Sequence, residues 1–387
     1  MTEFLKKYPD YDNLAWVNAR AALAASRDTV IAHIDSGLFP HPALGFDANG
    51  NPPRNVLMSY GRNYFDPGKN GHDDLPYSRL RKGTGLVNQI IDFPDHGVKT
   101  ASVILGAEPE HLAGVAPGAM LLPYRVSNGP LFRNGVERRM GATYTIGRAI
   151  EHAIRGTVRA DVISLSMGNP GHQGLAALIF RMLGASFGVT KNTRDAIDRA
   201  YNSGVIVCAA AGQVAADVIY PAKFRRTIAV SGYSDEFPRR QHFPPGGYTT
   251  GDGYVDTWAL AAGINRASGV AGPDGKPIPK YATNDSEEKV KGTSYATAFV
   301  AGAAALWLER YKSDFIMPEF QLPENRWRRV EAFRKVLQSM SFERVESGRP
   351  DRPNLNIKPL DVVKLLQTPP ELPPESARKP RTSGVML

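Results

Sequence analysis

The sequence predicts an α/β domain with a mainly parallel central sheet and helices on both faces. Three observations predict it. Short apolar runs near residues 29–34, 120–126, 162–165, 205–209 and 227–230 alternate with helical stretches near 101, 144–154, 193–202 and 294–311. Such alternation calls for right-handed crossovers between parallel strands. The residues with chemical promise are spread from Asp35 to Ser294 of a 387-residue chain, so one core must hold them all. One apolar run also ends in Asp-Ser-Gly, at the carboxyl edge where open sheets of this kind build their sites.

Taken in order, the first strand reads Val30-Ile31-Ala32-His33-Ile34-Asp35-Ser36-Gly37, and its glycine lets the chain turn beyond the aspartate. His33 shares a face with Asp35 and reads as a hydrogen-bonded core histidine, whose removal costs stability more than turnover. The interval 45–95 is rich in Gly, Pro and Asn and reads as surface loops near the cleft. Asp95-His96-Gly97-Val98 then sets a histidine at the mouth of a helix. Gly114 to Ala119 form a turn ahead of the strand from Met120, and Asp161 to Gly168 form a strand and the turn beyond it. An insertion over 171–189 holds an apolar run, 175–183, expected as a short helix over the substrate channel or against the core. Ala209-Ala210-Ala211-Gly212-Gln213 ends another strand. Gly292-Thr293-Ser294 opens a long helix of small apolar residues. A serine at such a first turn faces unpaired backbone N–H groups and the positive dipole end, which favour developing negative charge. A helix over 327–340 follows. Residues 1–367 read as one catalytic domain, and 368–387, Pro-rich and basic, as a disordered tail.

Asp35, His96 and Ser294, in that order and in these contexts, resemble the catalytic segments of the subtilisin-like serine proteases, the subtilases. Further motifs in family order extend the resemblance from about Ala22 to about Leu366: Gly114-Val115-Ala116-Pro117, Asp161 to Gly168, Gly204 to Gly212, Tyr220-Pro221-Ala222 and Thr227-Ile228-Ala229-Val230. The resemblance implies a subtilisin-like three-layer fold and serine endopeptidase activity on polypeptide substrates. Ser294 would be the nucleophile, His96 its general base and later acid, and Asp35 the group that orients the imidazole and stabilises its charged form. Ser166, Met167 and Gly168 on one side and Ala210, Ala211 and Gly212 on the other would flank the pocket for the side chain before the scissile bond. Extended peptide would pair with backbone there. Met167 and the alanines suggest an apolar or medium-sized side chain.

The chain departs from the family pattern at several positions. Gln213 stands where the family generally places the asparagine of its oxyanion hole. Glutamine keeps the amide donor on an arm one methylene longer, a displacement of roughly 1 Å against a useful donor distance of about 2.7–3.1 Å. Either the loop adjusts and Gln213 joins the Ser294 backbone N–H in binding the oxyanion, or turnover falls. Val98 replaces a small polar residue beside the histidine. Ala298 replaces a proline common four residues after the nucleophile, which relaxes a steric constraint there.

Calcium, which subtilases often bind, has no clear ligand motif. Glu108 and Glu110 offer oxygen atoms at a spacing that is not the family's, the stretch Gly71-His72-Asp73-Asp74 reads no more clearly, and no metal or other cofactor is expected. The net charge is +9, from 47 Lys and Arg against 38 Asp and Glu. No nucleic-acid module accompanies it, and Arg326-Trp327-Arg328-Arg329 lies among glutamates on a helix, so a solvated basic face is expected and nucleic acid is not. Acidic proteins would gain some steering from this charge. No segment approaches a transmembrane span, and the first residues lack an apolar secretory core. With about thirty residues before the first strand, no separate folding prodomain is expected. Cys208 is the single cysteine, so no intrachain disulfide forms and a reducing, cytoplasmic location is expected. Three function classes stay open: a serine endopeptidase, a peptide ligase or macrocyclase on the same scaffold, and a catalytically weak binding protein. No regulatory partner is identified by the sequence.

Overall fold

The computed structural model describes residues 28–66, 75–80, 82, 92–108, 112–130, 142–169, 190–213, 218–234, 241–242, 255–282, 292–349 and 352–382. Its apolar, β-branched runs form the core strands, which are buried on both faces as crossover-connected parallel strands must be. In chain order the strands are β1 (Val30–Asp35), β2 (Arg62–Asn63), β3 (Met120–Arg125), β4 (Val162–Leu165), β5 (Ile206–Ala210), β6 (Ile228–Ser234), β7 (Gln241–His242), β8 (Thr257–Leu260), β9 (Glu343–Arg349) and β10 (Arg352–Ile357). Among the described residues they make one ten-stranded sheet. Its centre is parallel, in the order β2-β3-β1-β4-β5-β6-β8. The other edge turns antiparallel where β7 joins β6 and where β9 and β10 form a hairpin. A separate hairpin pairs Arg266–Ala271 with Pro277–Ala282.

Five long helices cover this sheet: α1 (His96–Leu105), α2 (Ala142–Arg155), α3 (Lys191–Asn202), α4 (Thr293–Arg310) and α5 (Trp327–Gln338). Strand alternation assigns them to faces. His33 and Asp35 of β1 point one way and Ile34 the other. Asp35 meets His96 of α1 at 2.7 Å. Tyr124, the register partner of Ile34, hydrogen-bonds His152 of α2 at 2.8 Å. Helices α1 and α2 therefore lie on opposite faces, with α4 packed beside α1 and α3 beside α2. The three-layer α/β architecture expected from the sequence is the one observed.

The strand order also places the site. The first crossover carries the chain from β1 to β3 on one side, and later crossovers carry it from β4 to β6 on the other. The direction reverses between β1 and β4, which opens a crevice at their carboxyl ends. Asp35 stands on one lip and Ser166 just past the other. Helix α4 runs under the sheet and is buried nearly all round, as a helix without a polar face must be. A Cβ at Gly302 would collide with Val115, so glycine there lets α4 approach the turn before β3.

The C-terminal segment differs from its expectation. Residues 368–382 are packed on the domain: Trp307 Nε1 donates to Thr368 O, Lys379 N to Tyr201 Oη, and Thr382 N to Asp198 Oδ1, each at 3.0 Å. Arg226 also donates to Lys379 O at 3.0 Å. Its composition rules out a core of its own. It does not prevent the segment's backbone from docking on side chains that another part of the chain supplies. The apolar run 175–183 and residues 383–387 lie outside the described residues. Among the described residues no helix is long and apolar enough to cross a membrane.

Candidate active site

Asp35 ends β1 inside the protein, and the next two residues explain how a histidine is brought to it. Ser36 N donates to Asp35 Oδ1 at 2.7 Å. The Ser36 hydroxyl then accepts the Gly97 N–H at 2.9 Å, satisfying one of the free amides at the start of α1, whose own N-cap residue Asp95 makes no side-chain capping bond. Gly37 has φ +85°, and a Cβ on Gly97 would run into the Gly37 backbone. Two glycines thus let the helix mouth close on the strand end. The result is a 2.7 Å hydrogen bond between His96 Nδ1 and Asp35 Oδ1.

Asp95, freed from capping, has other partners. It accepts from Ser268 Oγ at 2.9 Å and pairs with Lys99 at 3.1 Å, which ties the 266–282 hairpin to α1. Sequence reasoning missed this tie, because the partner lies on a segment far away in the chain.

The second oxygen of Asp35 has its own support. Thr100, one helical turn after His96, lies 3.2 Å from Asp35 Oδ2. The carbonyls of His96 and Gly97 also lie within reach of its hydroxyl, at 3.1 and 3.3 Å. With its proton claimed by these acceptors, the hydroxyl needs a donor in turn, and His33 Nε2 supplies it at 2.8 Å. His33 is therefore buried and hydrogen-bonded, as its place on the strand suggested. Protonating it would add a buried Nδ1–H where that atom has no partner. Burial accordingly pushes its pKa down to about 4, against the pull of the Asp35 carboxylate. Burial also disfavours the Asp35 carboxylate, but the adjacent His96 and the Ser36 N–H outweigh it and hold the group below the usual range.

Ser294 lies in the first turn of α4, partly exposed. Its hydroxyl donates to Ser166 O at 2.8 Å, and Ser166 Oγ donates back to Ser294 O at 2.9 Å. Among the described residues the acceptor of the Ser294 hydroxyl is thus Ser166, not His96. Gln213 reaches across to the same helix end, where its Oε1 accepts the Thr293 N–H at 2.8 Å. An N–H must face an acceptor, so this bond orients the amide and leaves Nε2 as its donor end.

The two segments expected to flank the substrate are neighbours. Leu165 of β4 and Ala209 of β5 are register partners, so Ser166-Met167-Gly168 and Ala210-Ala211-Gly212 leave the sheet side by side. Residues 219–220 bridge them. Ile219 N donates to Ala211 O at 3.0 Å, and Asn169 and Tyr220 exchange both backbone bonds at 2.9 Å. Met167 is buried, facing away from solvent. As for metals, the described residues contain no group of three His, Cys, Asp or Glu placed to hold an ion. Glu110, Asp73 and Asp74 lie outside them.

These features have counterparts among known proteins. A family model described as the subtilase family matches residues 26–337. Subtilisin DY of Bacillus licheniformis is 29% identical over 226 residues, 57% of this chain and 65% of that protein. Subtilisin E of Bacillus subtilis is 28% identical over 250 residues, 62% of this chain and 52% of its own length. The chain thus spans about half to two thirds of the length of these relatives. The crystal structure of fervidolysin from Fervidobacterium pennivorans matches with a TM-score of 0.57 at 19% identity, over 94% of this chain and 48% of that one. A protease from Pseudoalteromonas arctica matches with a TM-score of 0.62 at 18% identity, over 95% of this chain and 97% of that one. At such identities the two structures speak for the fold alone.

Proposed function

This chain belongs to the subtilase family, and from that premise we propose that it is a serine endopeptidase cleaving polypeptides through an acyl-enzyme. The observation that carries the reading is the Asp35–His96 hydrogen bond at the sheet's switch point, with a serine in the first turn of the helix packed beside α1. The Ser294 hydroxyl rests on Ser166 O; in the proposed reaction it turns about χ1 to face the imidazole instead. His96, holding its Nδ1 proton toward Asp35, takes the serine proton at Nε2 as Oγ bonds to the scissile carbonyl carbon. The carbonyl oxygen becomes an oxyanion facing Gln213 Nε2 and the Ser294 N–H. Collapse breaks the C–N bond, and the imidazolium returns the proton to the departing amine. Water then repeats the sequence and frees the acid and Ser294. Asp35 stays ionised throughout, with a donor on each oxygen.

Polypeptides are the proposed partners. The location we propose, a reducing cytoplasm, is supported only by the single, buried cysteine. The test is labelling by a fluorophosphonate probe, wild type against Ser294→Ala, with a casein digest alongside. Labelling that requires Ser294 together with casein cleavage is the expected result. Labelling without cleavage would favour acyl transfer to an amine, the ligase reading. Folded protein that takes no label would point to a binding protein.

A further inference from the structure

The two segments that hydrogen-bond to the start of α4, through Ser166 and Gln213, each carry a glycine, and two missing side chains would ordinarily leave a slot between them. Gly168 lies two residues past Ser166, the acceptor of the nucleophile's hydroxyl, and Gly212 directly precedes Gln213. On the peptidase reading, the side chain of the residue before the scissile bond enters the slot between these two segments, which the family resemblance gives as the flanks of that pocket. The slot is already occupied. A Cβ built on Gly212 would meet Cδ1, Cγ1 and Cγ2 of Ile219, all at 2.9 Å, and one built on Gly168 would collide with the same Cδ1. The isoleucine side chain therefore lies against both glycines at once, and it is 7% exposed.

Its backbone is pinned. Ile219 N–H is held by Ala211 O on one wall, and the next residue pairs with Asn169 on the other. A branched side chain on a strapped backbone has few ways to leave.

Resting on the peptidase reading above, we infer that Ile219 is the specificity-determining residue of this site, and that it restricts the residue before the scissile bond to Gly, Ala or Ser. This is narrower than the medium-sized side chain suggested by Met167 and the alanines. Ile219, which lies against both glycines, comes from a segment whose place the sequence did not reveal.

The experiment uses the full chain with tetrapeptide anilides differing only in that last residue: Gly, Ala, Leu and Phe. Wild type should favour Ala over Phe by about 10²-fold in kcat/KM, the scale on which a filled pocket rejects extra methylenes. Ile219→Gly should raise the Phe rate at least about tenfold while changing Ala by less than about threefold. Ile219→Val, which removes one methyl group and leaves packing nearly intact, should raise Leu and leave Ala unchanged. Equal cleavage of Phe and Ala by wild type, or an unchanged order in both variants, overturns the inference. Fluorophosphonate labelling separates the two levels. Labelled protein that rejects the Ala substrate overturns the small-residue inference alone, whereas unlabelled folded protein overturns the peptidase reading and this inference with it.

Discussion

Asp35 and Asp256 are both carboxylates withdrawn from water, each gripped by a basic side chain and a backbone N–H, and their basic partners differ in kind. Asp256 meets Arg334 at 2.5 Å and accepts the Ala229 N–H at 2.8 Å. Arg334 also pairs with Glu331 at 3.1 Å and donates to the carbonyls of Arg225 and Thr227. Although burial opposes that charge, Asp256 and Glu331 hold the guanidinium firmly protonated. The cluster clamps α5 to the sheet. Asp35 faces an imidazole, the one common side chain whose proton moves near neutral pH. The difference teaches that a buried charge becomes chemistry only when its partner can give the proton up. An arginine in the same geometry builds structure.

Substitutions that remove each carboxylate's role should therefore fall on different observables. The largest effect is expected for Asp35→Asn, which leaves His96 Nδ1 facing an amide and favours the wrong tautomer. Turnover should drop by about 10⁴-fold, the scale known for the triad carboxylate in subtilisin, while the fold persists by circular dichroism. Arg334→Met should do the reverse. Breaking the pair takes the guanidinium from two buried carboxylates, leaving Asp256 the Ala229 N–H and Glu331 the Lys379 ammonium at 3.8 Å, at a cost of about 3–5 kcal/mol visible as a lower urea midpoint, with turnover per folded molecule unchanged. A loss of turnover per folded molecule in Arg334→Met would break the contrast.

Next in size comes Gln213. Gln213→Ala should lower kcat by about 10²–10³, a magnitude borrowed from subtilisin's own oxyanion residue. Gln213→Asn should not raise it, because the Thr293 N–H already anchors the longer arm. A large rise in Gln213→Asn would show a poorly placed donor in the wild type.

Acid sharpens the same comparison. The His33 pKa lies at about 4 in the folded protein against 6.5 ordinarily. The unfolded chain thus takes up a proton in that window that the native state refuses. Stability is complete above about pH 6.5 and falls by about 3 kcal/mol as pH drops toward 4. The lowered Asp35 carboxyl adds to the loss from the same side, since its stabilisation is present when ionised and lost on protonation. Urea titrations at a series of pH values, wild type against a His33 variant, measure the histidine share. The smallest effect is expected for Thr100→Val, which strips one donor from Asp35 Oδ2. About 1 kcal/mol, or about fivefold in kcat/KM, should be lost, with Thr100→Ser restoring it.

Much of this was legible in the order of residues. Strand and helix alternation gave the α/β class because burial on both faces demands continuous apolar runs, and Val162-Ile163-Ser164-Leu165 advertises that locally. Asp35, His96, Ser294 and Gln213 stood out because each sits at an element's end, where turn glycines and caps leave a local signature. His33 was legible through strand alternation alone. The packed stretch 368–382 was not, since its order comes from partners as distant as Tyr201 and Asp198.

The sequence by itself determined which side chains reach the crevice and from which element ends, because propensity, alternation and turn chemistry act over a few residues. Only the tertiary structure decided how they are used. Whether Ser36 caps α1, whether Thr100 reaches Asp35 Oδ2, where the Ser294 hydroxyl rests and which residue fills the slot between Gly168 and Gly212 all depend on contacts across segments far apart in the chain. Such contacts are set by close packing, which resolves differences of one methylene and has no local spelling.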